Sequence, residues 1–172
     1  MGSSFTGPIH EVDADIFQYQ QQLSGLARYH HLRPIRTCRL GLQLFIPHQL
    51  LNQRDDIDKA ILCLTESLLL SPLSWLERGP MILDVLYHLA LLLLMRSRMT
   101  QEPEDAIYAA KYFRDLRDQA HPPITVQRQQ VTARLVETLA FHIKLKASGV
   151  VRTLKEMTAL TQELLTSDPS VQ

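Results

Sequence analysis

The sequence has few cysteines, few aromatic residues and no excess of either charge. Its two cysteines, Cys38 and Cys63, form no CxxC pattern, and the chain opens with no signal peptide. These features predict free thiols in a reducing compartment and a cytoplasmic protein. Basic and acidic residues both number 18, so the net charge is zero, and the basic residues are scattered along the chain. This argues against nucleic acid as a partner.

Strand patterns and membrane-length apolar runs are also lacking. Val, Ile and Thr form no alternating runs bounded by turn residues, so we predict no β-sheet. The apolar stretch Met81–Met95 is shorter than the ~20 residues that cross a bilayer, and it contains Asp84 and His88. Its apolar residues fall on every side of a helix, which predicts a central helix surrounded by other helices. Gly2 fits the N-terminal myristoylation pattern, but six residues specify little, so we expect no membrane association. A membrane-associated adaptor anchored through Gly2 is an alternative.

The spacing of apolar residues predicts seven helices joined by short turns. We expect Pro47 to kink or shorten the second helix, and Trp75 to fill a gap between helical hairpins in the linker at 73–80. Residues 1–12 and 169–172 are predicted to be flexible ends of a single domain, 13–168. The predicted helices are 13–29, 35–51, 57–70, 81–98, 105–119, 126–148 and 150–166, and the last six form hairpins at about 35–72, 81–120 and 126–168.

The hairpins resemble one another in sequence. The first two share a leucine followed by a small residue, an acidic cap at the start of the second helix, an Ala-Ile pair and a closing proline. The third is more divergent. A repeat of this length is typical of stacked helical hairpins. The shared residues are Leu40-Gly41, Asp56, Ala60-Ile61 and Pro72 in one hairpin, and Leu89-Ala90, Asp105, Ala106-Ile107 and Pro122 in the next.

On these residues the segment 40–72 resembles a tetratricopeptide-type repeat of the lengthened kind that is common in fungal proteins. The similarity extends over 35–168. It implies an all-α fold of about seven helices, a right-handed stack of hairpins (a TPR-like α-solenoid). The spacing exceeds the ~34 residues of a standard repeat. Pro47 also interrupts the first helix of the first hairpin, and the second helix of the third hairpin lacks the acidic cap.

The resemblance further implies a concave groove lined by the helices at 35–51, 81–98 and 126–148. No basic clamp for a C-terminal carboxylate can be recognised on it, so the ligand is not implied. The expected function is a non-catalytic scaffold that binds a peptide or helix of a partner protein, with self-association as a second option. The polar side chains expected on the groove are Arg39, Gln43, His88, Arg134 and His142.

The sequence contains no recognised catalytic or nucleotide-binding motif, so we expect neither an enzyme nor a cofactor. Asp84 and His88 are four residues apart on one helix face, as metal ligands often are. One pair does not make a site, so we predict that no metal binds there. The alternative is a small helical bundle that holds a hydrophobic ligand or a metal, or catalyses a reaction, around Asp84, His88 and His142.

Overall fold

The computed structural model describes residues 7–27, 30, 32–51, 54–70, 80–118, 128–145 and 150–167. Across these residues the chain forms seven α-helices and no strand, which confirms the predicted all-α class. None of these helices combines the length and apolar character needed to cross a bilayer. Gly2 and Trp75 lie outside the described residues. The helices are α1 (Gly7–Ser24), α2 (Arg33–Leu51), α3 (Arg54–Leu70), α4 (Pro80–Thr100), α5 (Pro103–Arg117), α6 (Arg128–Lys144) and α7 (Val150–Ser167).

Two prolines lie within helices where the prediction placed a flexible end or an interruption. α1 begins at Gly7, within the segment predicted to be flexible, because Pro8 is compatible with a first helical turn, where its missing N–H would have no partner. α2 continues through Pro47 to Leu51, so the predicted shortening of this helix does not occur. Neither Pro8 nor Pro47 therefore ends a helix.

The chain divides into two compact units, Met1–Ser74 and Trp75–Gln172. The arrangement of all seven helices in one domain stays a prediction.

In the first unit α2 packs against both α1 and α3. Buried apolar residues of α2 and α3 form its core, and Gly41 lets the two helices approach closely. A Cβ atom at Gly41 would lie 2.8 Å from Leu64 Cδ2 and 3.2 Å from the carbonyl oxygen of Ala60. Beyond this contact Arg33 Nε donates to Glu66 Oε1 at 2.9 Å. The core residues are Cys38, Leu40, Leu44, Ile57, Ala60, Ile61 and Leu64.

In the second unit α4, α5, α6 and α7 pack each against the next. α4 is buried around most of its circumference, as predicted for its uniformly apolar sequence. The turn after α4 places Gln101 in the left-handed region, at φ 61°, and its N–H donates to the carbonyl of Ser97. The buried apolar residues include Val85, Leu86, Leu89, Ala90, Leu92 and Leu94 of α4, Phe113 and Leu116 of α5, and Val131, Leu135 and Leu139 of α6.

Bidentate ion pairs fasten these helices at their polar edges. Arg96 at the end of α4 donates from Nε and Nη2 to the two carboxylate oxygens of Asp105, at 2.6 and 2.8 Å. Arg114 of α5 donates in the same way to Glu156 of α7, at 2.5 and 2.7 Å. Because the guanidinium fork matches a carboxylate, each pair fixes orientation as well as distance.

Candidate functional site

Side chains of α4 and α6 meet on a polar and aromatic surface of the second unit. It is formed by Tyr87 and Arg98 of α4 and by Arg134, Glu137 and Phe141 of α6, and we call it the α4–α6 surface. The three α6 residues follow one another at spacings of three and four, which places them on one helix face. The opposite side of α6 carries the buried apolar residues.

Glu137 is the centre of the charged part of this surface. Its carboxylate accepts hydrogen bonds from Arg98 Nη2 at 2.5 Å and from Arg134 Nη1 at 2.8 Å. Partial burial raises the pKa of Glu137, but the hydrogen bonds and charges of Arg98 and Arg134 outweigh it and hold the pKa below its ordinary value. Glu137 is therefore ionised at neutral pH, and two guanidinium groups share one carboxylate, which leaves the cluster with a net positive charge.

Aromatic rings border the charged cluster. The guanidinium carbon of Arg98 lies 5.8 Å from the centroid of the Phe141 ring, within the range of a cation–π contact. The hydrogen bond with Glu137 raises the pKa of Arg134 most, and an interaction with Tyr87 raises it further. The Tyr87 ring also stands edge-on to His88, with centroids 5.6 Å apart. The surface thus combines cations with aromatic faces.

The charged side chains of this surface remain accessible. Arg98, Arg134 and Glu137 keep 43%, 46% and 35% of their side-chain area exposed. Ion pairs as exposed as these contribute little to folding stability, typically about 0–1 kcal/mol. The small gain in folding stability therefore does not account for this cluster of charged side chains. Their exposure makes them available for contacts with a partner.

The five residues predicted for the groove lie in both units. Arg39 and Gln43 belong to α2 of the first unit, where Gln43 Nε2 donates to Asp15 Oδ2 of α1 at 3.4 Å. Arg134 is part of the α4–α6 surface, and His88 lies next to it, in contact with Tyr87. His142 instead shares the buried face of α6 and is only 9% exposed. The structure brings two of the five together, and their role in binding stays a prediction.

Tyr87, Arg98 and Phe141 were not among the predicted groove residues, and neither was Glu137. The spacing of Arg134 and Glu137, three apart on a helix, is a sequence signal that points to their contact. No comparable signal exists for Tyr87 and Arg98, because they reach α6 only through the packing of two separate helices.

His142 has unusual surroundings. Its Nε2 atom is buried and has no hydrogen-bond partner among the described residues. Burial lowers its pKa, and the positive charge of Arg114 on α5 lowers it further. His142 is therefore neutral at pH 7 and faces the interior of the unit.

The predicted pair Asp84 and His88 is joined through the backbone. His88 Nδ1 lies 2.7 Å from the carbonyl oxygen of Asp84, and because that oxygen can only accept, Nδ1 carries the proton. Among the described residues no group of three or more potential ligands could hold a metal ion.

Burial, with a smaller contribution from Glu66, raises the pKa of the Cys63 thiol to about 11, so this thiol is protonated and unreactive at neutral pH.

No family model, curated protein or solved structure matches this chain. The similarity to lengthened tetratricopeptide-type repeats is thus an expectation from the sequence. The binding chemistry of the α4–α6 surface therefore follows from its own residues. These offer guanidinium donors, one carboxylate and partly exposed aromatic rings, a set suited to recognising side chains.

Proposed function

We propose that this protein is a non-catalytic interaction module that binds a peptide or helix of a partner protein on the α4–α6 surface. The observation that carries the proposal is the partly exposed cluster of Arg98, Arg134 and Glu137 beside Tyr87 and Phe141. Arginine and aromatic residues dominate the binding energy of protein interfaces. Here both kinds occur together on neighbouring helices.

The composition of the surface indicates the chemistry of its partner. Two guanidinium groups surround one carboxylate, so an acidic side chain of the partner can bind without displacing Glu137. Phe141 offers an apolar contact next to these cations. We therefore expect a partner segment in which an aspartate or glutamate lies close to an apolar residue.

In the proposed stack of hairpins, the α4–α6 surface would lie on the concave side. In a right-handed tetratricopeptide-like array, α4 and α6 are the first helices of successive hairpins and line the concave side. The sequential packing of α4 to α7 supports such an array. Peptide recognition in a helical groove needs a firm scaffold, and the Arg96–Asp105 and Arg114–Glu156 pairs supply one.

The proposal can be tested with a displayed library of acidic and apolar peptides selected on the full chain. Affinities of the selected peptides are then measured for Arg98→Glu and Arg134→Glu. We expect each charge reversal to weaken binding at least about tenfold, because interface arginines often contribute more than 1.4 kcal/mol. The matched control is Lys111→Glu, which reverses a charge on an exposed residue of α5.

Unchanged affinity in both arginine variants would refute binding at this surface. An equal loss in Lys111→Glu would show that the peptides respond to overall charge rather than to the α4–α6 surface. Failure of the library to yield any binding peptide would also contradict the proposal. Circular dichroism of each variant verifies that the helices are intact.

A further inference from the structure

The first unit contains a second polar site, which the proposed function does not use. A cavity of about 420 Å³ opens between α1 and α2. α1 contributes Tyr19 and Gln22 to its lining, and α2 contributes Arg36 and Arg39. Leu32 and Ile35 supply an apolar part of the wall. The volume lies within the range of small-molecule sites, roughly 300–1,000 Å³.

The cavity has an unbalanced charge. No carboxylate lines it, and within the described part of the chain neither Arg36 nor Arg39 forms an ion pair. Arg33, one turn earlier on the same helix, does have a partner, because its Nε lies 2.9 Å from Glu66 Oε1. The nearest acidic residue along α1 is Asp15, one turn before the cavity, and it accepts a hydrogen bond from Gln43.

Two features of α2 make this arrangement unfavourable without a counter-charge. Arg36 and Arg39 are three residues apart, so their like charges are neighbours on one helix face. α1 also covers part of this face and limits the access of water to Arg36, which is half-buried. Nearby charges that are partly shielded from solvent interact more strongly than charges in bulk water.

The α1 side of the cavity offers further hydrogen-bonding groups. Gln22 Oε1 is buried and has no partner among the described residues. The oxygen and nitrogen of a side-chain amide can be exchanged by a half-turn, which would place the NH₂ donor at the same point. The hydroxyl of Tyr19 is a second donor. An anion between the helices would thus meet donors from both walls.

We infer that this cavity binds a small organic anion, with its phosphate or carboxylate group between Arg36 and Arg39. The guanidinium fork pairs with two oxygen atoms of such a group. The rest of the ligand contacts Leu32 and Ile35. Because no described side chain of α1 is fully buried, the bound anion would also fasten α1 to α2.

The test uses phenyl phosphate and benzoate as probes, with uncharged benzamide as the matched control compound. Each is titrated into the full chain while amide and arginine Nε–H resonances are followed by NMR. We expect saturable shifts for both anions at millimolar concentration, confined to α1 and the first half of α2. Benzamide should leave these resonances unchanged.

Variants then assign the site. Arg36→Gln and Arg39→Gln are each expected to weaken phenyl phosphate binding about tenfold, because charge-assisted hydrogen bonds are lost. Arg54→Gln, on the exposed start of α3, is the matched control and should keep the wild-type affinity. If a glutamine variant unfolds, the Arg→Lys variant at that position retains the charge and is expected to bind at an intermediate strength.

Three outcomes would overturn the inference. The first is the absence of saturable shifts with either anion. The second is binding of benzamide as strong as that of benzoate, which would assign the affinity to the apolar wall. The third is an unchanged affinity in both arginine variants. Peptide binding at the α4–α6 surface has a separate readout, so the two proposals succeed or fail independently.

Discussion

Gly41 is the residue at which the packing of the first unit is tightest. We expect Gly41→Ala to lower the free energy of unfolding by about 1–2 kcal/mol, since overpacking costs more than the gain in helix propensity returns. The new methyl group would meet the branched end of Leu64 and the backbone oxygen of Ala60, and the backbone cannot rotate aside. Urea denaturation followed by circular dichroism measures the change.

Gly25→Ala is the matched control, because a Cβ atom there meets only the Gln22 oxygen, at 4.0 Å. We expect this control to change stability by less than about 0.5 kcal/mol. Equal stability of Gly41→Ala and the wild type would show that α2 and α3 leave room for a methyl group at position 41.

His142 makes stability depend on pH. Burial and the charge of Arg114 lower its pKa in the folded state, so the unfolded state takes up a proton first as the pH falls. The contribution of neutral His142 is complete above the unfolded pKa of about 6.5 and is lost as the pH falls from there towards the lower folded value. The unfolding free energy of the wild type should therefore decrease more steeply between pH 7 and pH 5 than that of His142→Gln.

The measurement is a series of urea denaturation curves at half-unit pH intervals for the two proteins. All other titrating groups are common to both, so the difference between the two slopes reports His142 alone. Parallel slopes would mean that this imidazole gains a proton as readily in the folded chain as in the unfolded one.

At the scale of elements, ion pairs decide how firmly α4 and α5 are joined. Asp105 is buried in the first turn of α5 and accepts two hydrogen bonds from Arg96. We expect Asp105→Asn to lower the unfolding free energy by about 1–3 kcal/mol, because a half-buried guanidinium loses its counter-charge. Thermal and urea denaturation both measure this loss.

Asp118→Asn provides the comparison for that variant. Asp118 pairs with Arg117 through an exposed carboxylate, so its replacement should cost less than about 0.5 kcal/mol. If Asp105→Asn were as stable as Asp118→Asn, the bidentate pair would contribute orientation but no net stability.

The helices could largely be predicted from the sequence, but the side-chain contacts between them could not. Apolar spacing predicts all seven helices. The acidic residues predicted to cap α3 and α5 lie instead inside the first turns of these helices, and Glu102 occupies the N-cap position of α5 without a side-chain hydrogen bond. The start of α1 differs from the prediction because Pro8 fits into its first turn, and Pro47 does not shorten α2. Of the five residues of the α4–α6 surface, only Arg134 was among the predicted groove residues. Its contact with Glu137 follows from their spacing on one helix, whereas Tyr87 and Arg98 meet α6 only through tertiary packing.

At the scale of the whole molecule, the balance of charge matters more than any single pair. Equal numbers of basic and acidic residues give zero formal charge at pH 7, although Arg36, Arg39 and the α4–α6 surface are locally positive. Local positive sites on a neutral chain must be offset by acidic residues elsewhere. Such a chain has little electrostatic repulsion between its copies.

Solubility should therefore be lowest near pH 7 and increase on either side of it. The formal net charge is zero at pH 7, becomes positive below that pH and negative above it. Lys111→Glu replaces a positive charge by a negative one at an exposed position of α5, which lowers the net charge by two. It should therefore move the solubility minimum to a lower pH, while Lys111→Arg leaves it in place. Precipitation by polyethylene glycol across pH 5–9 measures both. A minimum that stays at pH 7 in Lys111→Glu would mean that a specific contact between copies, rather than net charge, limits solubility.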